Sequence, residues 1–428
     1  MTELRRELGL REAVALVVTA IVGTTIFIMP GVVAAKAGPL SILGWVISGA
    51  LTVPMALCFA ELAGLYEKAG GPYVYVGDAF GRLPGLIVGW SLTAVSWAVI
   101  SLLAVGFALY SSYIFPNSQQ FQTLIAIAAI LSFTLLNYLG VKLSATALNL
   151  LALGTVAILL VFILGSLPFV RPSSFTPFAP YGWLALGPVL VLTFVPYMGL
   201  EVVALPAEEF KNPRRDIPVG ILVGAIIVIA VYVLLSFTSL GTIGWQRLGA
   251  SSAPIAEAAE FAFGKLGGSL MDIGVLVTIL GCLNCSIFTF SRLTYAMGRD
   301  QAIPPLFATL DTKYSTPSIA LLFQAVLSTI LVISGTFEKL AYLTAYITLL
   351  IYVIIFLAYI KLRNKASTSR AKAFKAPFGN SMAIAAIIFC AILLAYSDLW
   401  AAVWGSLLML LSIPVYYAQS LVKTYNKS

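Results

Sequence analysis

Histidine is absent from the 428 residues, and aspartate, glutamate, lysine and arginine together make up only 10% of them. Without imidazole there is no Ser-His-Asp triad, no histidine metal ligand and no histidine proton relay. An ordinary soluble domain carries about 25% charged residues. A charge content this low, with 60% hydrophobic residues and a mean hydropathy of +1.00, excludes a soluble enzyme. Cysteine is scarce too, and Cys58, Cys282, Cys285 and Cys390 all lie within apolar stretches. Cys282 and Cys285 have C-x-x-C spacing, but no further thiol or imidazole lies near them to complete a metal site. They read as small side chains at helix interfaces. No G-x-x-x-x-G-K-[ST] loop occurs, so ATP is not the energy source. The longest polar stretch, Lys361 to Pro377, is too short for a soluble signalling domain.

What the chain has instead is long apolar runs, such as Val14 to Pro30, Leu102 to Ile114 and Thr344 to Ile360. They are continuous rather than alternating, which argues for membrane helices over the period-two strands of an outer-membrane barrel. The expected fold is an all-α polytopic membrane protein with twelve spans. They lie near 13–36, 40–65, 84–114, 121–139, 144–168, 184–208, 218–241, 269–297, 317–335, 338–361, 378–397 and 400–422. The first run is long and lacks a small-residue cleavage site, so the N-terminus is expected to stay.

Twelve spans sort the 25 basic residues into 20 on the side of the two termini and 5 on the other, namely Lys36, Arg171, Arg247, Lys265 and Lys339. Positive loops resist translocation, so both termini are expected in the cytoplasm, at the cell membrane. The net charge of +8 thus sits in loops and calls for no nucleic acid.

Two spans carry helix-breaking chemistry at mid-membrane. Span one reads Ala20-Ile21-Val22-Gly23-Thr24-Thr25-Ile26-Phe27 with Pro30 and Gly31 behind; span six reads Val195-Pro196-Tyr197-Met198-Gly199-Leu200-Glu201 with Pro206 behind. Five spans separate the two starts, so one half is inverted relative to the other, and paired broken helices at matching positions point to an inverted-repeat transporter with its site at the breaks. A break frees N–H groups on one side and C=O groups on the other. The amides of Thr24, Thr25 and Ile26 suit a carboxylate, and the carbonyls near Ile21, Val195 and Met198 suit an ammonium. A zwitterionic amino acid is read this way through the main chain.

These stretches resemble the amino acid, polyamine and organocation (APC) transporter superfamily. Gly23-Thr24-Thr25-Ile26-Phe27 with Pro30-Gly31 is similar to its G-[ST]-G-I-F-x-x-P-G. Phe59-Ala60-Glu61-Leu62, then Gly70-Gly71-Pro72-Tyr73-Val74-Tyr75, matches the end of its span two. Gly199-Leu200-Glu201 followed by Glu208-Glu209-Phe210-Lys211-Asn212-Pro213-Arg214-Arg215-Asp216-Ile217-Pro218 is the most specific match, and Ser291-Arg292-Leu293 with Met297-Gly298-Arg299-Asp300 and Pro304 is the fourth.

The resemblance implies the leucine-transporter-like fold, a 5+5 inverted repeat with two additional C-terminal helices. The first repeat would cover 1–168, the second 184–361 and the extra helices 378–422. It implies backbone contacts from Ile21, Thr24, Thr25, Val195 and Met198 around Gly23 and Gly199, with Ser96 and Ser286 facing the side-chain pocket. Three positions depart from the pattern. Thr25 replaces the second glycine and favours small substrates. Val195 stands where many members place an aromatic gate, leaving Phe194 and Tyr197 as gate candidates. Thr155 stands where proton-coupled relatives carry a lysine.

Among the acids, Glu201 lies within span six and is either a brace for the break or a proton carrier. Glu61 ends span two and reads as a loop brace, Asn284 as a helix–helix hydrogen bond, and the 208–216 loop as a salt-bridge network. The expected function is amino acid transport or exchange by alternating access, with an H⁺ or Na⁺ co-substrate left open and no cofactor or metal. A polyamine or organic-cation substrate is the alternative, for which Glu201 is the one acid at depth. A membrane-embedded enzyme is disfavoured because no acidic cluster accompanies the missing histidine.

Overall fold

The computed structural model describes residues 6–23, 25–115, 120–251, 253–334, 337–364, 374–397 and 399–417. Among them the chain is helical, with one isolated parallel bridge, Leu8 to Phe210, and no strand. In order the helices are α1 (Leu10–Ile21), α2 (Thr25–Ala37), α3 (Ser41–Leu65), α4 (Pro72–Phe80), α5 (Arg82–Ile114), α6 (Gln122–Tyr138), α7 (Val141–Ser166) and α8 (Leu186–Phe194). Then come α9 (Pro213–Ile243), α10 (Trp245–Ala250), α11 (Pro254–Arg299), α12 (Ser318–Ser334), α13 (Phe337–Asn364), α14 (Asn380–Ala395) and α15 (Leu399–Leu410).

Among the described residues eight helical segments are long and apolar enough to cross a membrane, and α6, α12 and α14 are shorter apolar helices. The segment from Thr25 to Leu65 is 41 residues. At 1.5 Å per residue it would reach about 60 Å, twice a bilayer core. It is two crossings, because Gly38 takes a φ of 60° in a single 3₁₀ turn, Gly38–Leu40, between α2 and α3. A side chain there is also excluded: a Cβ on Gly38 would lie 2.5 Å from Pro180 Cγ. With α1 and α2 counted as one interrupted crossing, the helices fill the expected apolar runs.

The interruption of span one falls between Ile21 and Thr25. That of span six is longer than the sequence implies. After α8 come a 3₁₀ turn (Val195–Tyr197), extended Met198, left-handed Gly199 at φ 116° and a second 3₁₀ turn (Leu200–Ala204), so no α-helix forms in its second half. Pro196 and Pro206 account for this, since each removes an amide donor within a dozen residues. The eighth span is also longer than read from sequence. α11 begins at Pro254, with non-helical Gly264 inside it.

α11 is the axis of the bundle: every residue from Gly281 to Gly298 is buried, the mark of a helix surrounded on all sides. The outer faces carry exposed leucines and isoleucines, among them Leu150, Leu153 and Leu164 on α7 and Ile384, Ile388 and Ile392 on α14. Such a belt is stable only where its surroundings are apolar. α14 packs on α13 and α3, and α15 on α13 and α5.

Packing pairs recur between the two halves. α1 lies on α9 as α8 lies on α3; α7 lies on α11 as α13 lies on α5; α6 lies on α11 as α12 lies on α5. α3–α9, α5–α11 and α6–α12 are each matched with themselves under the same exchange of spans one to five for six to ten.

Candidate functional site

The two interruptions touch. A Cβ on Gly199 would lie 3.2 Å from the Ala20 carbonyl oxygen, so only glycine, which also tolerates the positive φ, lets the strands approach this closely. The buried Tyr232 of α9 joins them: its hydroxyl lies 2.9 Å from the Ile21 carbonyl oxygen and 3.3 Å from that of Pro196. On the other side, Tyr352 of α13 accepts from the Gly199 amide at 3.0 Å and donates to Glu201 Oε2 at 2.5 Å. Glu201 is buried at 4% exposure. A tyrosine in an apolar helix needs a partner for its hydroxyl; that was the signal by which Tyr232 and Tyr352 could have been found in the sequence.

Of the residues singled out from the sequence, Thr24 lies outside the described residues. Thr25 and Ile26 open α2, where the first-turn N–H groups have no acceptor within the helix. Gly23 faces α11 and α5, with Cys282 Sγ 3.3 Å and Leu103 Cδ2 3.6 Å from where a Cβ would stand. Ser286 is one turn from Cys282 on α11, and Ser96 two turns from Leu103 on α5, so helical periodicity places both on the helix faces turned to Gly23. Both are buried, and the Ser96 hydroxyl donates to Thr93 O within its own helix. The Ser286 carbonyl lies 3.4 Å from Gln324 Nε2.

Other candidates are engaged elsewhere. The Ile21 carbonyl already accepts from Tyr232 and, at 2.9 Å, from the Gly23 amide, which fills its two lone pairs. The Val195 carbonyl accepts from the Met198 amide at 3.2 Å. The Ile21 carbonyl thus has no lone pair left for a ligand, and the Val195 carbonyl keeps one. Of the expected gate rings, Phe194 packs edge-on against Phe389 of α14, ring centres 4.9 Å apart, and Tyr197 packs against Tyr232 while donating to the Trp45 carbonyl of α3 at 3.2 Å. Thr155 of α7 is buried with no hydrogen-bond partner for its hydroxyl among the described residues.

The thiols serve as interface groups. Cys282 lies 3.8 Å from the Ala20 carbonyl and Cys285 3.6 Å from that of Leu16, so both seat α11 on α1. Asn284 accepts from Asn137 of α6 at 2.9 Å.

At the face that carries most of the lysine and arginine, charged groups pin the helix ends. Arg292 of α11 pairs with Glu209 at 2.6 Å, both wholly buried, and its guanidinium centre lies 3.9 Å from the ring centre of Phe288. Arg299 pairs with Glu208 at 2.5 Å, and the same Glu208 oxygen accepts from the Ala69 amide. The segment before α1 is laid against this loop, with Leu8 donating to Glu209 O and Lys211 donating to Leu8 O. Glu12 accepts from Asn149 of α7 and from the Gly9 amide, each at 2.8 Å. Glu61 braces the segment before α14, accepting from Arg363, Tyr359 and the Ala376 amide.

Comparison with known proteins agrees with this geometry. Residues 8–418 match the amino acid permease family. The chain is 28% identical over 426 residues to the serine/threonine exchanger SteT of Bacillus subtilis, covering 97% of each chain. It is 28% identical over 409 residues to the branched-chain amino acid permease BcaP of the same organism, covering 91% of this chain and 88% of the other. It is 29% identical over 437 residues to the human large neutral amino acids transporter small subunit 2, covering 97% and 80%. A match of this extent to a family of membrane carriers, on a bundle of apolar helices, makes the chain a multi-pass transporter rather than an enzyme: it belongs to the amino acid permease family.

Proposed function

We propose that the protein carries amino acids across the cell membrane by alternating access, with substrate held at the paired breaks. The observation that carries this reading is the junction of the two interruptions at Gly199 and Ala20, tied by Tyr232. Amides of Thr25 and Ile26 at the start of α2 take the carboxylate, and the ammonium falls to the Met198 carbonyl, on the extended residue between the two 3₁₀ turns. Ser96 and Ser286 lie toward the side-chain end. The names of the relatives favour amino acids over polyamines, and so does the engagement of Glu201 by Tyr352, which leaves the break without an acid free to meet a second cation.

The recurring packing pairs support reading 1–168 and 184–361 as inverted repeats, with 378–422 as an appended pair of helices. The distribution of basic residues supports cytoplasmic termini in a lipid bilayer. In that orientation the Arg292–Glu209 and Arg299–Glu208 pairs form an intracellular gate. Thr155 does not titrate in the physiological range, so proton coupling through span five is not expected, and exchange without H⁺ or Na⁺ fits the chain best. Radiolabel counterflow of the twenty amino acids and common polyamines in proteoliposomes tests the proposal. It predicts counterflow of amino acids and none of polyamines; the reverse would overturn it.

A further inference from the structure

A cavity of about 450 Å³ lies apart from the breaks, at the basic face. It is walled by the end of α3 and the following turn (Tyr66, Lys68), by α4 (Tyr73, Asp78), by Arg82 opening α5, and by Asp300 after α11. Among the described residues neither Lys68 nor Arg82 has an ion-pair partner. The carboxylates are held in place: Asp78 accepts from Tyr66 at 2.5 Å, and Asp300 lies 3.4 Å from Arg299. The cavity thus offers two cations without an ion pair beside two positioned carboxylates, between tyrosine rings, with apolar Val74, Leu86 and Ala302 and polar Gln301 and Tyr416 also on its wall.

We infer that this cavity is a second amino acid site, distinct from the breaks, that binds a cytoplasmic zwitterion and holds the intracellular gate shut. The inference rests on the proposed function in one respect, the orientation of the basic face. Lys68 and Arg82 take the carboxylate, and Asp78 and Asp300 take the ammonium. A dianion such as phosphate fits less well, because the same two carboxylates repel it. The volume exceeds what an α-amino acid backbone needs, leaving room for a side chain against the apolar wall. The site is joined to the gate by sequence on both sides: Lys68 precedes Ala69, whose amide donates to Glu208, and Asp300 follows Arg299, which pairs with the same Glu208. A ligand bridging Lys68 and Asp300 therefore clamps both groups that hold Glu208.

The test is binding stoichiometry on the purified full-length protein. The probe is whichever of tritiated L-serine, L-threonine, L-leucine and L-isoleucine gives the strongest counterflow. The wild type should bind two per chain, Gly23→Leu one, Lys68→Ala/Arg82→Ala one, and the triple variant none. Both cations are exposed at the surface, and the site retained in the double variant reports that it has folded. One molecule per chain in the wild type, unchanged by Lys68→Ala/Arg82→Ala, overturns the inference and leaves the break site standing. Loss of one site in the double variant but none in Gly23→Leu supports the cavity and overturns the break site instead.

Discussion

The hydroxyl of Tyr232 stands 2.9 Å from the carbonyl oxygen of Ile21, the last residue of the first half of span one. Because the same hydroxyl reaches Pro196 in span six, one side chain from α9 sets the distance between the two interruptions. A carbonyl exposed by a helix break and buried in a bundle needs donors; the Gly23 amide is one for Ile21, and a second donor adds about 0.5–1.5 kcal/mol. Tyr232 supplies that donor while leaving the amides at the start of α2 to a ligand.

Tyr232→Phe removes the donor and keeps the ring against Trp45 and Tyr197. The protein should fold and insert, lose about 0.5–1.5 kcal/mol of stability by thermal melting in detergent, and lose counterflow rate because the breaks are no longer tied. Wild-type melting and wild-type counterflow together would show that the bond is incidental.

Glu201 is expected to act as a brace, since it accepts from the Tyr352 hydroxyl, whose oxygen in turn accepts from the Gly199 amide. Glu201→Gln keeps an oxygen acceptor and should lose exchange by roughly tenfold at most, about the worth of one weakened hydrogen bond, with its pH dependence unchanged. Glu201→Leu should lose far more. If Glu201→Gln retains exchange but no longer accumulates substrate on a pH gradient, Glu201 is a proton carrier and the brace reading fails.

How much of this was legible in the sequence divides along the same lines. The breaks were, because glycine and proline at mid-membrane announce freed backbone whatever surrounds them, and so were Glu61, Asn284 and the charged loop, whose polarity inside apolar context demands partners. What satisfies the freed backbone was not. The Ile21 carbonyl looked available for an ammonium because one segment alone shows its own unmet carbonyls and never the hydroxyl arriving from α9. Phe194 and Tyr197 were gate candidates because they flank Val195, and their neighbours, Phe389 of α14 and Trp45 of α3, lie far away in sequence. The 3₁₀ second half of span six arose from Pro196 and Pro206 acting together, which neither residue alone foretells.

The buried Arg292–Glu209 pair makes a separate prediction. Removing one partner strands a charge out of water, so Arg292→Met should destabilise by about 3–5 kcal/mol, whereas Arg292→Met with Glu209→Leu should recover much of the loss. Thermal melts of the two variants measure this. Equal destabilisation of the single and double variants would show that the ionic pair is not what holds this end of α11.

Coupling gives the next expectation. Substrate accumulation should be indifferent to imposed H⁺ and Na⁺ gradients, while counterflow remains strong in their absence. Robust H⁺-driven accumulation that vanishes in Thr155→Val would contradict this, since it would make span five part of a proton route despite a hydroxyl that does not titrate.

The most direct test of the account is counterflow by Gly23→Leu in proteoliposomes, alongside Gly23→Ala. Already the first side-chain carbon would sit 3.3 Å from Cys282 Sγ, so alanine should be accommodated by a small shift of that thiol, and leucine should fill the space between α2, α5 and α11. The account predicts a correctly inserted, monodisperse Gly23→Leu protein with no counterflow of any amino acid, and a Gly23→Ala protein with reduced counterflow. Wild-type counterflow by Gly23→Leu would contradict the claim that substrate is held at the paired breaks.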